Sequence, residues 1–147
     1  MSGIYDQMLG ADGSGAELIY VPAGGSAEPA SAEALAARKQ YLKMRGREVY
    51  KFAVTKMVEV IEGAVQRGGI SLKDVALVIP HQSNARIIES AAERLGLPVE
   101  RVAMNIDRYG NTSAASIPLA LDEAMQAGRI RAGDWVLLAG FGGGLTW

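Results

Sequence analysis

The stretch Val75-Ala-Leu-Val-Ile-Pro80, followed by His81-Gln-Ser-Asn84, decides the fold of this chain. A short, continuous apolar run that ends in polar residues is typical of a strand buried on both faces of a sheet. This run places His81, the only histidine of the sequence, at the C-terminal end of the strand. Open α/β sheets hold their ligands at that end. His81 is therefore a candidate site residue, and an ordinary histidine at a strand end is the alternative.

Apolar periodicity on both sides of this strand predicts further elements. The predicted strands are the segments 4–9, 17–21, 102–106 and 134–140. The predicted helices run from Glu48 to Gly68-Gly69, from about Ser83 to Gly96, and from about Ser116 to Ala127, with Pro118 tolerated in a first turn. We expect the second of these helices to bury a face made of Ala85, Ile88, Ala92 and Leu95. Apolar strands that alternate with helices predict an α/β architecture whose sheet is covered on both faces.

Length and composition limit what the chain can do. Its 147 residues fit one domain, and 15 basic against 16 acidic residues give a net charge of -1. We therefore expect no nucleic-acid partner. The sequence has neither a signal peptide nor an apolar run of about 18 residues, so we expect a cytoplasmic protein without a membrane partner. It contains no cysteine, which excludes disulfides, a cysteine nucleophile and, with a single histidine, a conventional zinc site.

A second polar cluster, Tyr109-Gly-Asn-Thr-Ser-Ala-Ala-Ser116, lies between a predicted strand and the helix that follows it. It occupies the same kind of position as His81, and two strand ends of one parallel sheet can face one pocket. Asn111 offers an amide that can donate hydrogen bonds. The alternative is an Asx turn that caps the helix.

A third cluster, Gly140-Phe-Gly-Gly-Gly-Leu-Thr-Trp147, follows the last predicted strand. Its consecutive glycines could present backbone N–H groups to an oxyanion. One imidazole, one amide and a glycine-rich loop form a set of donors suited to a developing negative charge on a carbonyl oxygen. This set lacks a nucleophile.

Four blocks of sequence resemble a known family. They are the segment 44–53, Pro80-His-Gln-Ser-Asn-Ala-Arg-Ile-Ile88, Asp107-Arg-Tyr-Gly-Asn-Thr-Ser-Ala-Ala-Ser-Ile-Pro118 and Phe141-Gly-Gly-Gly-Leu-Thr-Trp147. In order and spacing they resemble the C-terminal half of β-ketoacyl-acyl-carrier-protein synthase III, a thiolase-fold condensing enzyme. The resemblance implies that residues 1–147 form a thiolase-like α/β half domain, with a mixed, mainly parallel sheet, helices on its faces and the last edge strand missing.

The resemblance also implies a reaction. In the family, a cysteine of the N-terminal half takes an acyl group from coenzyme A, and malonyl-acyl-carrier protein then loses carbon dioxide and attacks it in a Claisen condensation that starts fatty acid synthesis. By this resemblance, His81 and Asn111 are expected to donate hydrogen bonds to the malonyl thioester carbonyl. The backbone of Gly143 is expected to contribute to the oxyanion hole, and Phe141 to line the site.

Further positions match the family's substrate path. Those that match its pantetheine tunnel are Ser83, Asn84, Gly46 and Tyr50, and those that match its carrier-protein docking rim are Arg86 and Lys51. Acyl-CoA, malonyl-acyl-carrier protein, the N-terminal half and a second copy in a homodimer are the implied partners. Coenzyme A and the phosphopantetheine of the carrier protein are implied as substrates, with no metal and no resident cofactor.

Two departures from the family matter. The nucleophilic cysteine belongs to a half that would precede Met1, and the last strand would follow Trp147. We therefore expect the chain alone to be inactive. Two alternatives to an enzyme part are a non-catalytic module that binds pantetheine and a structural half that orders only with its partner.

Overall fold

The computed structural model describes residues 3–147, which contain helices and short strands in alternation. The strands are β1 (Ile19–Tyr20), β2 (Lys43–Met44), β3 (Val75–Pro80) and β4 (Trp135–Ala139). The α-helices are α1 (Ala32–Ala36), α2 (Gly46–Arg67), α3 (Ala85–Leu95), α4 (Ile106–Tyr109) and α5 (Ser116–Gln126). Short 3-10 helices lie at Gly13–Leu18, Leu72–Asp74, Val99–Arg101 and Ser113–Ala115.

The central layer is the parallel pair of β3 and β4. Val78 lies opposite Leu137 in this pair, and Val102 forms an isolated bridge to Val78 on the other edge of β3. From Leu77 onward the side chains of β3 point alternately to the two faces of the sheet, and a register irregularity between Val75 and Leu77 breaks the alternation before it. Val75 and Val78 pack in the core formed with α2 and α3, whereas Leu77 and Ile79 pack in the core formed with α5. The sheet is thus covered on both faces, as predicted.

The predicted helices are present, with small shifts at their ends. The α2 helix begins at Gly46 and is capped by Gly68, and α3 ends at Gly96, whose φ of 62° is the left-handed conformation that glycine adopts readily. The α5 helix carries Pro118 in its first turn, where no intrahelical hydrogen bond is lost. Each helix ends where the sequence offers a glycine or runs out of apolar spacing.

The buried face of α3 differs from the predicted one. Ile88 is buried as expected, but its buried neighbours are Ile87 and Ala91. The other predicted members of the face, Ala85, Ala92 and Leu95, are only partly buried. The helix packs against both α2 and β3, so two adjacent rows of side chains are covered instead of one.

The predicted strand at 4–9 is wrong, because no strand forms there. Ile4 and Leu9 are exposed, and the first backbone pairing with another segment is made at Gly10. Gly10 and Asp12 exchange backbone hydrogen bonds with Trp147 and Leu145. The segment before Gly10 therefore has no neighbouring strand among residues 3–147.

Two other strand predictions are also corrected. Of 17–21, only Ile19–Tyr20 is a strand, because Asp12 caps a 3-10 helix that runs through Leu18. Of 102–106, only a single bridge at Val102 and the bond from Ala103 N to Val78 O (2.8 Å) follow β3. At Asn105 the backbone N–H donates to the side-chain oxygen of Gln82 instead, at 2.9 Å, and α4 begins at the next residue.

No helix in the described part of the chain, residues 3–147, is both long enough and apolar enough to cross a membrane.

Candidate active site

His81 lies immediately after β3, at the edge of the sheet where β4 also ends. Its backbone N–H donates to the carbonyl oxygen of Ala139 at 2.8 Å, which continues the ladder by one residue. The half-buried imidazole meets the ring of Phe141 edge to face, with 5.4 Å between ring centroids. Burial lowers the pKa of His81 below its ordinary value of 6.5. This shift favours the neutral form of the imidazole at pH 7.

Ser116, the first residue of α5, holds one nitrogen of this imidazole. Its Oγ lies 2.6 Å from His81 Nδ1 and accepts a hydrogen bond from the backbone N–H of Gln82 at 3.2 Å. Ser116 is 1% exposed, so this hydroxyl has no contact with bulk water. The ring orientation of His81 is thereby tied to the start of α5.

Gln82, which is fully buried, connects β3 to the segment that leads to the second polar cluster. Its amide nitrogen donates to Pro80 O at 2.9 Å and to Ala103 O at 3.1 Å, and its amide oxygen accepts from Asn105 N at 2.9 Å. Every polar group of the side chain is paired, as a buried amide requires. This residue fixes the distance between the end of β3 and residues 103–105.

Asn111 lies on the exposed loop between α4 and α5. Its side-chain oxygen accepts from the backbone N–H of Ser113 at 3.0 Å, which is the Asx turn considered above as an alternative. Gly110 before it has φ 67° and ψ -159°, a conformation that essentially only glycine adopts. With the oxygen engaged, the amide nitrogen of Asn111 has no hydrogen-bond partner within residues 3–147 and is free to donate. The turn and an available donor are both present.

Asn111 and His81 are not hydrogen-bonded to each other. They are joined through the loop that runs from Gly110 to Ser116, whose last residue holds His81 Nδ1. The structure therefore places the histidine and the Asn111 loop at the same end of the sheet.

Glu123 of α5 anchors the segment that precedes Asn111. Its carboxylate accepts hydrogen bonds from Asn105 Nδ2 at 2.9 Å, from the Arg108 guanidinium at 2.8 Å and from Tyr109 OH at 2.7 Å. These hydrogen bonds lower the pKa of Glu123 to about 2, and the largest contribution comes from Tyr109, followed by Asn105 and Arg108. The α4 helix is thus held on α5 by a carboxylate that is ionised at neutral pH.

Phe141 and Gly143 lie in the loop after β4. Phe141 packs on the core of α2 and α3 and contacts the His81 ring. Gly142 and Thr146 exchange backbone hydrogen bonds and close a tight turn around Gly143. The N–H of Gly143 has no hydrogen-bond partner in the described part of the chain, so it is available to an oxyanion.

The positions expected along a pantetheine path lie at the N-terminal ends of two helices. Gly46 is the first residue of α2, and Asn84 caps α3 by accepting from Arg86 N at 3.0 Å. Tyr50 OH lies 2.7 Å from Ser90 Oγ, which joins α2 to α3. Ser83 Oγ is buried and has no hydrogen-bond partner among residues 3–147.

The two basic residues expected on the rim lie on the same pair of helices. Lys51 on α2 and Arg86 on α3 are exposed. Neither forms an ion pair with another residue of the described range 3–147. Both charges are therefore available to a ligand.

Other features of the structure lie away from this site. Residues 3–147 contain no group of three His, Cys, Asp or Glu side chains that could hold a metal ion. An apolar cavity of about 230 Å³ lies beside α3 and does not include His81. The residues that line it are Ile88, Glu89, Ala92, Glu93, Leu97, Val99, Val102 and Met104.

Comparison with known proteins agrees with the sequence motifs. Residues 65–147, more than half of the chain, match the family described as 3-oxoacyl-[acyl-carrier-protein (ACP)] synthase III C terminal. The chain belongs to this family. The β-ketoacyl-[acyl-carrier-protein] synthase III of Roseiflexus castenholzii is 54% identical over 146 residues, which are 99% of this chain and 44% of that protein. The chain thus spans less than half of the length of this relative.

Solved structures of the family have the same fold. The β-ketoacyl-[acyl-carrier-protein] synthase III of Thermus thermophilus superimposes with a TM-score of 0.82 at 52% identity, over 95% of this chain and 42% of that one. The enzyme of Pseudomonas aeruginosa superimposes with a TM-score of 0.83 at 39% identity, over 95% and 42% of the two chains. The predicted family and the predicted thiolase-like α/β half domain are confirmed. The roles of individual site residues remain predictions.

Sequence reasoning missed the residues that support His81 and Asn111. Ser116 and Gln82 lie inside the quoted motifs, but were read there only as parts of polar clusters. Asn105 and Glu123 lie outside the catalytic motifs; Asn105 is a lone polar residue within an apolar segment, whereas Glu123 follows Asp122 on a helix and carries no distinguishing signal. Such residues are recognised only when the fold shows what they contact.

Proposed function

We propose that this chain is the C-terminal, decarboxylating part of a 3-oxoacyl-acyl-carrier-protein synthase III that starts fatty acid synthesis. In the complete reaction, an acyl group from acyl-CoA is held on a cysteine, and malonyl-acyl-carrier protein extends it by a decarboxylative Claisen condensation. The observation that carries the proposal is a half-buried histidine at the end of β3, held by Ser116, beside a loop on which the Asn111 amide nitrogen has no partner among residues 3–147.

His81 and Asn111 act on the second substrate. When the bond between the malonyl methylene carbon and its carboxylate breaks, carbon dioxide leaves and the bonding electron pair becomes an enolate. Negative charge then develops on the thioester carbonyl oxygen. Two N–H donors aimed at that oxygen stabilise the charge in the transition state more than in the ground state. A neutral imidazole with a lowered pKa suits this role, because it donates a hydrogen bond without needing to abstract a proton.

The enolate carbon then attacks the acyl-cysteine thioester. A tetrahedral oxyanion forms, the carbon–sulfur bond breaks, and the cysteine leaves as a thiolate. The N–H of Gly143, which has no partner among residues 3–147, supports a role in binding this oxyanion, with Phe141 closing the site beside His81. Because the chain contains no cysteine, the thiolate comes from outside these 147 residues.

The substrates approach along α2 and α3. The buried hydroxyl of Ser83, unpaired within the described residues 3–147, is suited to the amides and hydroxyl of pantetheine. The polar groups at Gly46, Tyr50 and Asn84 are suited to the same groups. Lys51 and Arg86 are suited to the acidic surface and phosphate of the carrier protein. The complete enzyme acts with its N-terminal half and as a homodimer.

A hybrid enzyme tests the proposal. The C-terminal part of the Roseiflexus castenholzii relative that aligns with this chain is replaced by the chain itself, which shares 54% of its residues. We expect His81→Ala and Asn111→Ala each to lower malonyl decarboxylation by about 10²-fold or more, as loss of an oxyanion donor does. Acylation of the cysteine by acyl-CoA should be retained in both variants. Radiolabelled carbon dioxide release and intact-mass analysis measure the two steps.

A control variant removes an amide elsewhere on the surface. Gln126→Ala deletes an exposed amide of α5 that donates to Asp122, four residues earlier, and should leave both steps unchanged. Loss of cysteine acylation with decarboxylation intact in either site variant would show that the two residues serve the first substrate instead.

A further inference from the structure

We infer that Ser116 is a positioning residue that fixes the tautomer of His81. Its hydroxyl donates a hydrogen bond to Nδ1, so the neutral ring carries its proton on Nε2. The inference deepens the proposed function, because it explains how His81 presents a donor and not a lone pair to the substrate. It rests on the contacts of one buried hydroxyl.

The hydrogen-bond partners of Ser116 allow only one arrangement of donors and acceptors around its hydroxyl. The backbone N–H of Gln82 can only donate, and it lies 3.2 Å from Ser116 Oγ. The second partner, His81 Nδ1, is 2.6 Å away. Within residues 3–147, Nδ1 is the only acceptor found for the Ser116 hydroxyl, and the residue is 1% exposed.

The opposite assignment leaves a group unsatisfied. If Nδ1 carried the proton, Ser116 Oγ would accept from both His81 and Gln82, and its own buried proton would have no acceptor. Buried donors without partners are destabilising and rare. Donation from Ser116 to Nδ1 satisfies all three groups and leaves the proton of the neutral ring on Nε2.

The tautomer decides the chemistry of the other ring nitrogen. Nε2 has no hydrogen-bond partner in the described residues, so it is available to a substrate. With a proton on Nε2, the ring donates a hydrogen bond to a carbonyl oxygen on which charge develops. With the proton on Nδ1, Nε2 would present a lone pair to the same oxygen and repel it. The ring of Phe141 packs against this imidazole edge to face, with 5.4 Å between ring centroids.

Nitrogen-15 NMR of the full chain tests the inference directly. Because His81 is the only histidine, the imidazole region contains the resonances of a single ring. Above the pKa of His81, we expect an unprotonated Nδ1 resonance, a protonated Nε2 resonance and a scalar coupling between the Ser116 hydroxyl proton and Nδ1. A protonated Nδ1 in the unsubstituted chain would overturn the inference, whatever the variants do.

Two substitutions show that Ser116 is the cause. Ser116→Ala should move both ring resonances towards values averaged between the tautomers, and Ser116→Thr, which keeps the hydroxyl, should restore the original pattern. Unchanged ring resonances in a folded Ser116→Ala chain would contradict the inference. If that variant does not fold, the hydroxyl-to-Nδ1 coupling in the unsubstituted chain decides, and its absence overturns the inference.

Activity of the hybrid enzyme separates this inference from the proposed function. Ser116→Ala should lower decarboxylation by about 10-fold or more, in the range seen when a partner that orients a functional histidine is removed, and Ser116→Thr should recover most of it. Cysteine acylation should not change. An NMR result as expected, combined with full activity of His81→Ala, would refute the proposed function alone. A protonated Nδ1, combined with an inactive His81→Ala enzyme, would refute this inference alone.

Discussion

Gly110 shows how one backbone conformation places a functional side chain. Its φ of 67° and ψ of -159° turn the chain between Tyr109, which is bound to Glu123, and Asn111. A residue with a side chain would be strained here by its backbone conformation. Steric contacts would add nothing to this strain, because a Cβ at this position would meet no atom within 4 Å. Glycine is therefore needed here for the backbone angles of the loop and not to leave room for a neighbouring group.

We expect Gly110→Ala to lower the free energy of unfolding by about 1 to 3 kcal/mol, the usual cost of such a backbone conformation in a residue with a side chain. Urea denaturation measures the change. Gly13→Ala is the matched control, because a Cβ at Gly13 also meets open space, but the φ of Gly13 lies outside the left-handed region. Equal effects of the two substitutions would show that Gly110 is not strained by a side chain.

Among the elements, the sequence predicts those whose stability comes from their own apolar pattern. The strand Val75–Pro80 and the helices α2 and α5 bury apolar side chains that recur at the spacing of their own element. They can therefore be predicted from the local sequence. The segment 102–106 was predicted wrongly, because a strand pattern there is interrupted by the amide of Gln82, a residue far away in the chain. Glu123 supports the segment before Asn111 through contacts with residues that are also distant in the chain, such as Arg108, so this support could not be predicted either.

The contact between α4 and α5 should make stability depend on acid. The folded-state pKa of Glu123 is lowered to about 2 from 4.5, so its ionised form stabilises the fold fully above about pH 4.5. This contribution is lost progressively as the pH falls from 4.5 towards 2. We expect Glu123→Gln to be less stable than the unsubstituted chain at neutral pH, and the difference to shrink over that window.

Urea denaturation at a series of pH values measures this difference. Glu62→Gln, on an exposed part of α2, gives the effect of removing a carboxylate that has no such set of donors. A constant difference between Glu123→Gln and the unsubstituted chain across the whole window would contradict the predicted acid dependence.

At the scale of the whole molecule, the chain exposes many large apolar side chains. Exposed large apolar side chains are found on the N-terminal segment, on β1 and β2 and the loops around them, and on β4. Apolar surface of this extent marks an interaction site or a tendency to associate. Among residues 3–147, β4 pairs only with β3, so its outer edge is open to another strand. The net charge of -1 provides little repulsion.

We therefore expect the chain to self-associate, with β4 as one contact. Light scattering during size exclusion should give a mean mass above 15.5 kDa that rises with concentration. Leu138→Lys, which places a charge at a β4 position that is 53% exposed, should lower that mass. Met125→Lys is the matched control, because Met125 is equally apolar and 59% exposed but lies on α5, away from the strand edge. If both substitutions lower the mass equally, general hydrophobicity and not the edge of β4 drives the association. A chain that stays at 15.5 kDa at high concentration, without binding a dye for apolar surfaces, would show that this exposed surface is compatible with a monomer.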